Sequence, residues 1–211
     1  MAVPWRYEAN LRRIRDIRSG RFLGPSEKHA LRESYIDAMH ERSQALVTRL
    51  ASGDLTLQDW LEQMRTLVRT SHSDMAMLAR GGIHGMDALD RQNLSETIRA
   101  QWNYLQRFAG AVSNGDMTEA AIAARADMYV NAARLSYEEA NRKTAIENGA
   151  QYEHNVLHAR ESCPGCVAET MRGWVPLNQL SAVGSRDCNG GCKCTIQYAY
   201  REPDAPMERM P

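Results

Sequence analysis

The stretch LTLQDWLEQMRTLVRTSHSDMAMLARGG, residues 55–82, decides the fold. Leu57, Trp60, Leu61, Met64, Leu67, Val68, Met75 and Leu78 recur at mostly three- and four-residue intervals, the spacing that lines up side chains on one face of an α-helix. Thr56 followed three positions later by Asp59 is the chemistry of a helix start, and Gly81-Gly82 supplies the stop. A helix with one apolar stripe must lay it against other elements.

Three neighbours are readable on either side. Residues 25–51 open with Pro25-Ser26 and carry Leu31, Tyr35, Ala38, Met39, Leu46 and Leu50 at helical spacing before SGD ends them. From about 87 to 113, Leu94, Ile98, Trp102, Leu105, Ala109 and Val112 repeat the pattern until SNGD breaks it. A fourth segment starts at Thr118, turns Ile122, Ala126, Tyr129, Ala133, Tyr137 and Ala140 inward, and stops at Asn148-Gly149. Its small residues allow a neighbouring helix to approach closely. The expectation is a mainly α protein: a helical bundle of about four helices over residues 1–150, whose Met and aromatic residues are core.

After residue 150 the character changes. YEHNVLHARESC, GWVPL and CTIQYAY are short β-branched or aromatic pieces separated by Pro and Gly, which predicts a small cysteine-rich β-ribbon over 151–200. The end, REPDAPMERMP, holds three prolines and little apolar content, so 201–211 is expected to be an extended tail.

Composition limits the function classes. Hydrophobic residues make up 43% and charged residues 25%, which excludes wholesale disorder. Lys plus Arg and Asp plus Glu both number 26, so the chain lacks an overall cationic field for nucleic acid or anionic lipid. The N-terminal MAVPWRYEANLRRIRD becomes charged at Arg6, too early for the apolar stretch of a secretory signal, and no apolar run is long enough to cross a bilayer. A soluble protein of a reducing compartment is expected, with no membrane partner. There, five cysteines suit metal ligation better than a disulfide framework, and an odd count weakens full pairing.

All five cysteines fall in one pattern, Cys163-Pro-Gly-Cys166, then Cys188-Asn-Gly-Gly-Cys192-Lys-Cys194. Glycines at 165, 190 and 191 permit tight bends beneath the sulfurs, and two such bends present thiolates to a tetrahedral ion. The expectation is a zinc-ribbon-like unit with one structural zinc, held by Cys163, Cys166 and Cys188 with Cys192 or Cys194 fourth. The competing reading is a disulfide-stapled or unmetallated hairpin. Redox catalysis lacks the βαβ setting of a thioredoxin-type motif. His154 and His158 are read as surface or strand histidines rather than ligands. No phosphate loop, H-E-x-x-H or nucleophile elbow is present, and no catalytic residue is assigned.

RADMYVNAARLSYEEANRKTAIENGAQYEHNVLHARESCPGCVAETMRGWVPL, closed by DCNGGCKC, resembles the C-terminal region of the phage head-morphogenesis family, the Mu F-like minor head proteins. In that family a helix with an A-R-x-x-Y-x-x-x-N-R-like stretch leads into a strand, a C-P-x-C turn, a G-x-V-x-P-like strand and a final C-x-C. Ala133, Arg134, Tyr137, Asn141 and Arg142 carry the first of these, and Cys163, Pro164 and Cys166 the second. Gly173, Val175 and Pro176 follow, and Cys192 and Cys194 close the motif. Where many members have a His-Pro pair before the last cysteines, this chain has Cys188 and Asn189.

The resemblance covers about residues 118–200 and implies a non-enzymatic minor structural or assembly protein of a tailed-phage head, acting near the portal. It implies the portal or major capsid protein as partner, packaged DNA as a further one, and multiple copies per particle. The place of action would be the host cytoplasm during assembly and then the virion head. The alternative is a zinc-stabilised nucleic-acid-binding module, prompted by Arg6, Arg12, Arg13, Arg15, Arg18 and Arg21, a run that also reads as a solvated face.

Overall fold

The computed structural model of the chain describes residues 5–8, 13–115, 117–159, 161–188 and 193–203. A hairpin, β1 (Trp5–Glu8) and β2 (Arg13–Asp16), precedes four long helices. These are α1 (Pro25–Ala51), α2 (Leu57–Arg80), α3 (Ala88–Ser113) and α4 (Glu119–Glu147). A single 3-10 turn, Ile83–Gly85, links α2 to α3. The C-terminal region holds β3 (Tyr152–Val156), α5 (Pro164–Met171), β4 (Val175–Pro176) and β5 (Thr195–Ala199).

The helix ends follow from local chemistry. Thr56 Oγ1 accepts the Asp59 N–H at 3.1 Å, and Thr118 Oγ1 accepts that of Ala121 at 3.3 Å, each taking one of the four N–H groups a helix start leaves without a partner. At the start of α1 the Glu27 carboxylate reaches back to the Gly24 N–H at 2.6 Å. Gly81 ends α2 at φ 79°, a left-handed conformation that only glycine adopts without strain.

The packing is centred on α2 and α4, which make the most extensive contact; α1 lies against both and α3 mainly against α2. Ala126 and Ala133 of α4 are fully buried, so the two backbones meet over small side chains. Trp60 of α2 is also fully buried and stands edge-on to Phe108 of α3 at 5.7 Å between ring centres. Phe108 in turn faces Tyr129 of α4 at 6.1 Å. No described helix is long and apolar enough to cross a membrane.

The described residues before α1 are not simply a lead-in to helices. β1 and β2 pair antiparallel with Trp5 opposite Asp16, and Ile14 drops into the helical core at 2% exposure. Arg15, one of the basic run, lies over the Phe22 ring at 4.4 Å and pairs with Glu8 at 3.3 Å, so it serves the hairpin. Arg12 lies outside the described residues, as do 204–211 of the expected tail.

The second sheet is antiparallel in the order β4-β3-β5, with Tyr152 opposite both Pro176 and Ala199. Its apolar core is small and separate, built from Cys166, Val175, Leu180, Val183, Cys194 and Ile196. Neither α5 nor the N-terminal hairpin is part of the sequence expectation; CPGC begins a helix instead of closing a turn between strands.

Candidate metal centre

Pro164 at the first position of α5 needs no hydrogen-bond acceptor there, so the chain can enter a helix directly after Cys163. Cys163 occupies the cap, and its sulfur accepts the Cys166 N–H at 3.4 Å. Cys166, one turn on, is 1% exposed. The second half of the site approaches through Gly165, whose N–H donates to Asp187 Oδ2 at 3.0 Å. A Cβ on Gly165 would meet that oxygen at 3.1 Å and Arg186 Cβ at 3.4 Å. Close approach of 186–188 to α5 is therefore what this glycine permits.

The result brings the sulfurs of Cys163, Cys166 and Cys188 within 4.8 Å of one another. No disulfide joins Cys163, Cys166, Cys188 and Cys194. Cys194, at 2% exposure, lies in the apolar core of the sheet and is not part of the sulfur group. Cys192, with Gly190 and Gly191, lies outside the described residues. Burial opposes ionisation of Cys163, but hydrogen bonds involving Cys166 and Cys188 outweigh it and hold its thiol below the usual value. Three converging thiols of this kind are compatible with a metal ion.

The inward positions of β3 are polar, which is unusual for a strand covered by a core. Asn155, fully buried, donates to the Cys166 carbonyl at 3.2 Å and to Thr170 Oγ1 at 2.7 Å, fastening α5 to the sheet. Its own oxygen accepts from Arg186 Nη1 at 2.8 Å. Glu153, also fully buried, accepts the Leu180 N–H at 2.7 Å and pairs with Arg142 of α4 at 3.1 Å.

Arg142 thus belongs to a polar joint between the helices and the cysteine region. Arg32 of α1, fully buried, pairs with Glu138 at 2.5 Å and Glu33 at 2.9 Å, and donates to the Lys193 carbonyl at 3.2 Å. Glu33 also pairs with Arg134 at 2.8 Å. Burial pushes the Glu138 carboxyl up to about 7, against the pull of Arg32 and of a hydrogen bond from the Ile196 backbone. His158 stacks on His29 at 3.9 Å and meets Thr195 Oγ1 at 2.9 Å, while His154 tilts toward Trp174. Neither His154 nor His158 joins the sulfur group.

Sequence reasoning singled out the three clustered cysteines together with Arg134, Tyr137 and Arg142. It missed Arg32, Glu138, Glu153, Asn155 and Arg186. The one available signal was the charge on the predicted inner stretch of α4, because ionic residues beside buried ones need partners. No family model matches the chain, and no curated protein or solved structure matches it either.

Proposed function

We propose that this protein is a minor structural or assembly component of a tailed-phage head, acting near the portal, in which a helical bundle carries a zinc-ribbon-like unit. The reading is non-enzymatic. What supports it is a convergence: residues that carry the family resemblance but stand far apart in sequence are tied together through β3. Arg142 of α4 pairs with Glu153 of β3, Val175 lies opposite Glu153 in the sheet, and Cys166, in the first turn of the helix that Cys163 caps, accepts from Asn155 of β3 through its carbonyl.

In this reading a structural zinc is held by Cys163, Cys166 and Cys188. Cys192 or Cys194 is the proposed fourth ligand. The ion would supply no chemistry beyond cross-linking α5 to the 186–188 segment. Such a site contributes on the order of 10–16 kcal/mol to folding, and a core of six buried residues needs that help.

The test is co-expression with the portal and major capsid proteins of the same genome, followed by mass spectrometry of purified particles and elemental analysis of the protein prepared under reducing conditions. Co-purification with particles or portal and about one zinc per chain are expected. Absence from particles, together with duplex-DNA binding that weakens steeply with salt, replaces the reading with the nucleic-acid-binding one.

A further inference from the structure

Arg186 is 9% exposed, yet among the described residues no carboxylate comes within 4.0 Å of its guanidinium to form an ion pair. Its hydrogen bonds go to neutral groups and to one sulfur. Nη1 donates to Asn155 Oδ1 at 2.8 Å, Nη2 donates to the Ser181 carbonyl at 2.5 Å, and Nη1 also reaches Cys166 Sγ at 3.6 Å. The nearby acid, Glu169, feels the charge of Arg186, which helps hold its carboxyl below the usual range, but its direct bonds go to Arg172 at 2.9 Å and to Ser181. A guanidinium is always charged, and burying one without an anion is costly. The group in direct contact with this guanidinium that can carry negative charge is the Cys166 sulfur.

Metal-bound cysteines are thiolates, so three or four of them around a divalent ion leave the centre net negative. A buried anion of that kind requires compensation, as a buried cation does. The two requirements meet at Cys166. We propose that Arg186 is the counter-charge of the sulfur cluster, donating to Cys166 Sγ and setting how firmly the metal is held. Asn155 aims it, since the same side chain accepts from Arg186 and donates to the Cys166 carbonyl. Arg186 is thus a positioning residue, and the inference rests on the reading of the cysteines as a metal site.

The experiment compares full-length wild type with Arg186→Met, Arg186→Gln and Arg186→Lys. Zinc affinity is measured by competition with a chromophoric chelator, and the cobalt(II)-loaded proteins by their sulfur-to-metal charge-transfer bands. Loss of an outer partner of a metal ligand commonly weakens binding by about 10- to 100-fold, and that loss is expected for Met and for Gln. Lys keeps the charge but not the fork that reaches Asn155, Ser181 and Cys166 together, and is expected to lose less affinity than Met or Gln. The charge-transfer bands of the Met and Gln forms move to lower energy, because a thiolate that loses a donor gives up its electron more easily.

Gln retains the polar reach toward Asn155, so comparison of Gln with Lys remains decisive if Met fails to fold. Equal affinity and unmoved bands across all four proteins overturn the role of Arg186 while leaving the metal site standing. A wild type that binds neither zinc nor cobalt overturns both the metal reading and this inference.

Discussion

His72 is fully buried on α2, with Nδ1 2.8 Å from Ser136 Oγ and, among the described residues, no hydrogen-bond partner for Nε2. Burial holds its ionisation down at about 4. Below the ordinary histidine value of about 6.5 the unfolded chain takes up a proton that the folded chain refuses until about pH 4, so stability is lost as pH falls across that interval. By pH 5 the loss from this one residue is about 2 kcal/mol. His29, pushed to about 4 chiefly by burial, and His158, lowered for the same first cause, act with the same sign. Glu138 acts against them: folded, it keeps its proton up to about pH 7, so its contribution is present below the ordinary glutamate range and fades as pH rises through 7. Thermal melts from pH 7.5 to 4.5 are therefore expected to show falling stability. His72→Gln, which cannot take up a proton, should have the shallower decline. Parallel declines in the two proteins would show that His72 is not the group being titrated.

The elements divide by how local their causes are. The starts of α2 and α4 were legible because Thr56 and Thr118 act on N–H groups three residues away, and the stop of α2 because Gly81 alone takes the left-handed turn. The stripe of α4 was legible for the same reason: five of its six expected inward residues, Ala126, Tyr129, Ala133, Tyr137 and Ala140, are buried. α5 was not, since Pro164-Gly165 reads as a turn until Cys163 is seen to cap a helix. The β1–β2 hairpin was hidden by its arginines, whose charge masked the burial of Ile14 between them. Nor was the Arg32–Glu138 pair accessible, because its partners are 106 residues apart and only the packing of α1 on α4 joins them. One close approach between elements yields a sharp expectation. A Cβ on Gly85, in the turn after α2, would lie 2.0 Å from the Arg80 carbonyl oxygen, a backbone atom that cannot rotate away. Gly85→Ala should cost roughly 1–3 kcal/mol in urea unfolding with an unchanged denaturant slope. A midpoint equal to wild type means that the turn shifts freely.

At the scale of the molecule, the main apolar core of the helices and that of the cysteine unit do not merge, and a small third cluster of Ala76, Met86 and Ala140 belongs to the helices. Among the described residues, the helical core runs from Ile14 to Tyr137 and draws no buried residue from beyond α4, while the core of the cysteine unit lies between Cys166 and Ile196. What joins them is polar: Arg32 to Glu138 and the Lys193 carbonyl, Arg142 to Glu153, His29 on His158. Alongside runs a cleft of about 200 Å³ between Leu135 and Ile146 on one side and Val183 and Tyr198 on the other, so even the apolar part of the seam is incompletely filled. Removing the cysteine unit would open this seam to water. Arg32 would keep Glu138 and Glu33 as partners, and solvent would replace the Lys193 carbonyl and the Ile196 N–H. No large apolar side chain of the helical core would lose its neighbours. A chain ending at Gly149 is therefore expected to remain helical and to melt in one cooperative transition by circular dichroism, at a lower temperature than the full protein because the seam bonds are gone. A broad, non-cooperative loss of helix would mean that the ion pairs of the seam hold the helices together, and that residues 1–150 are no independent unit.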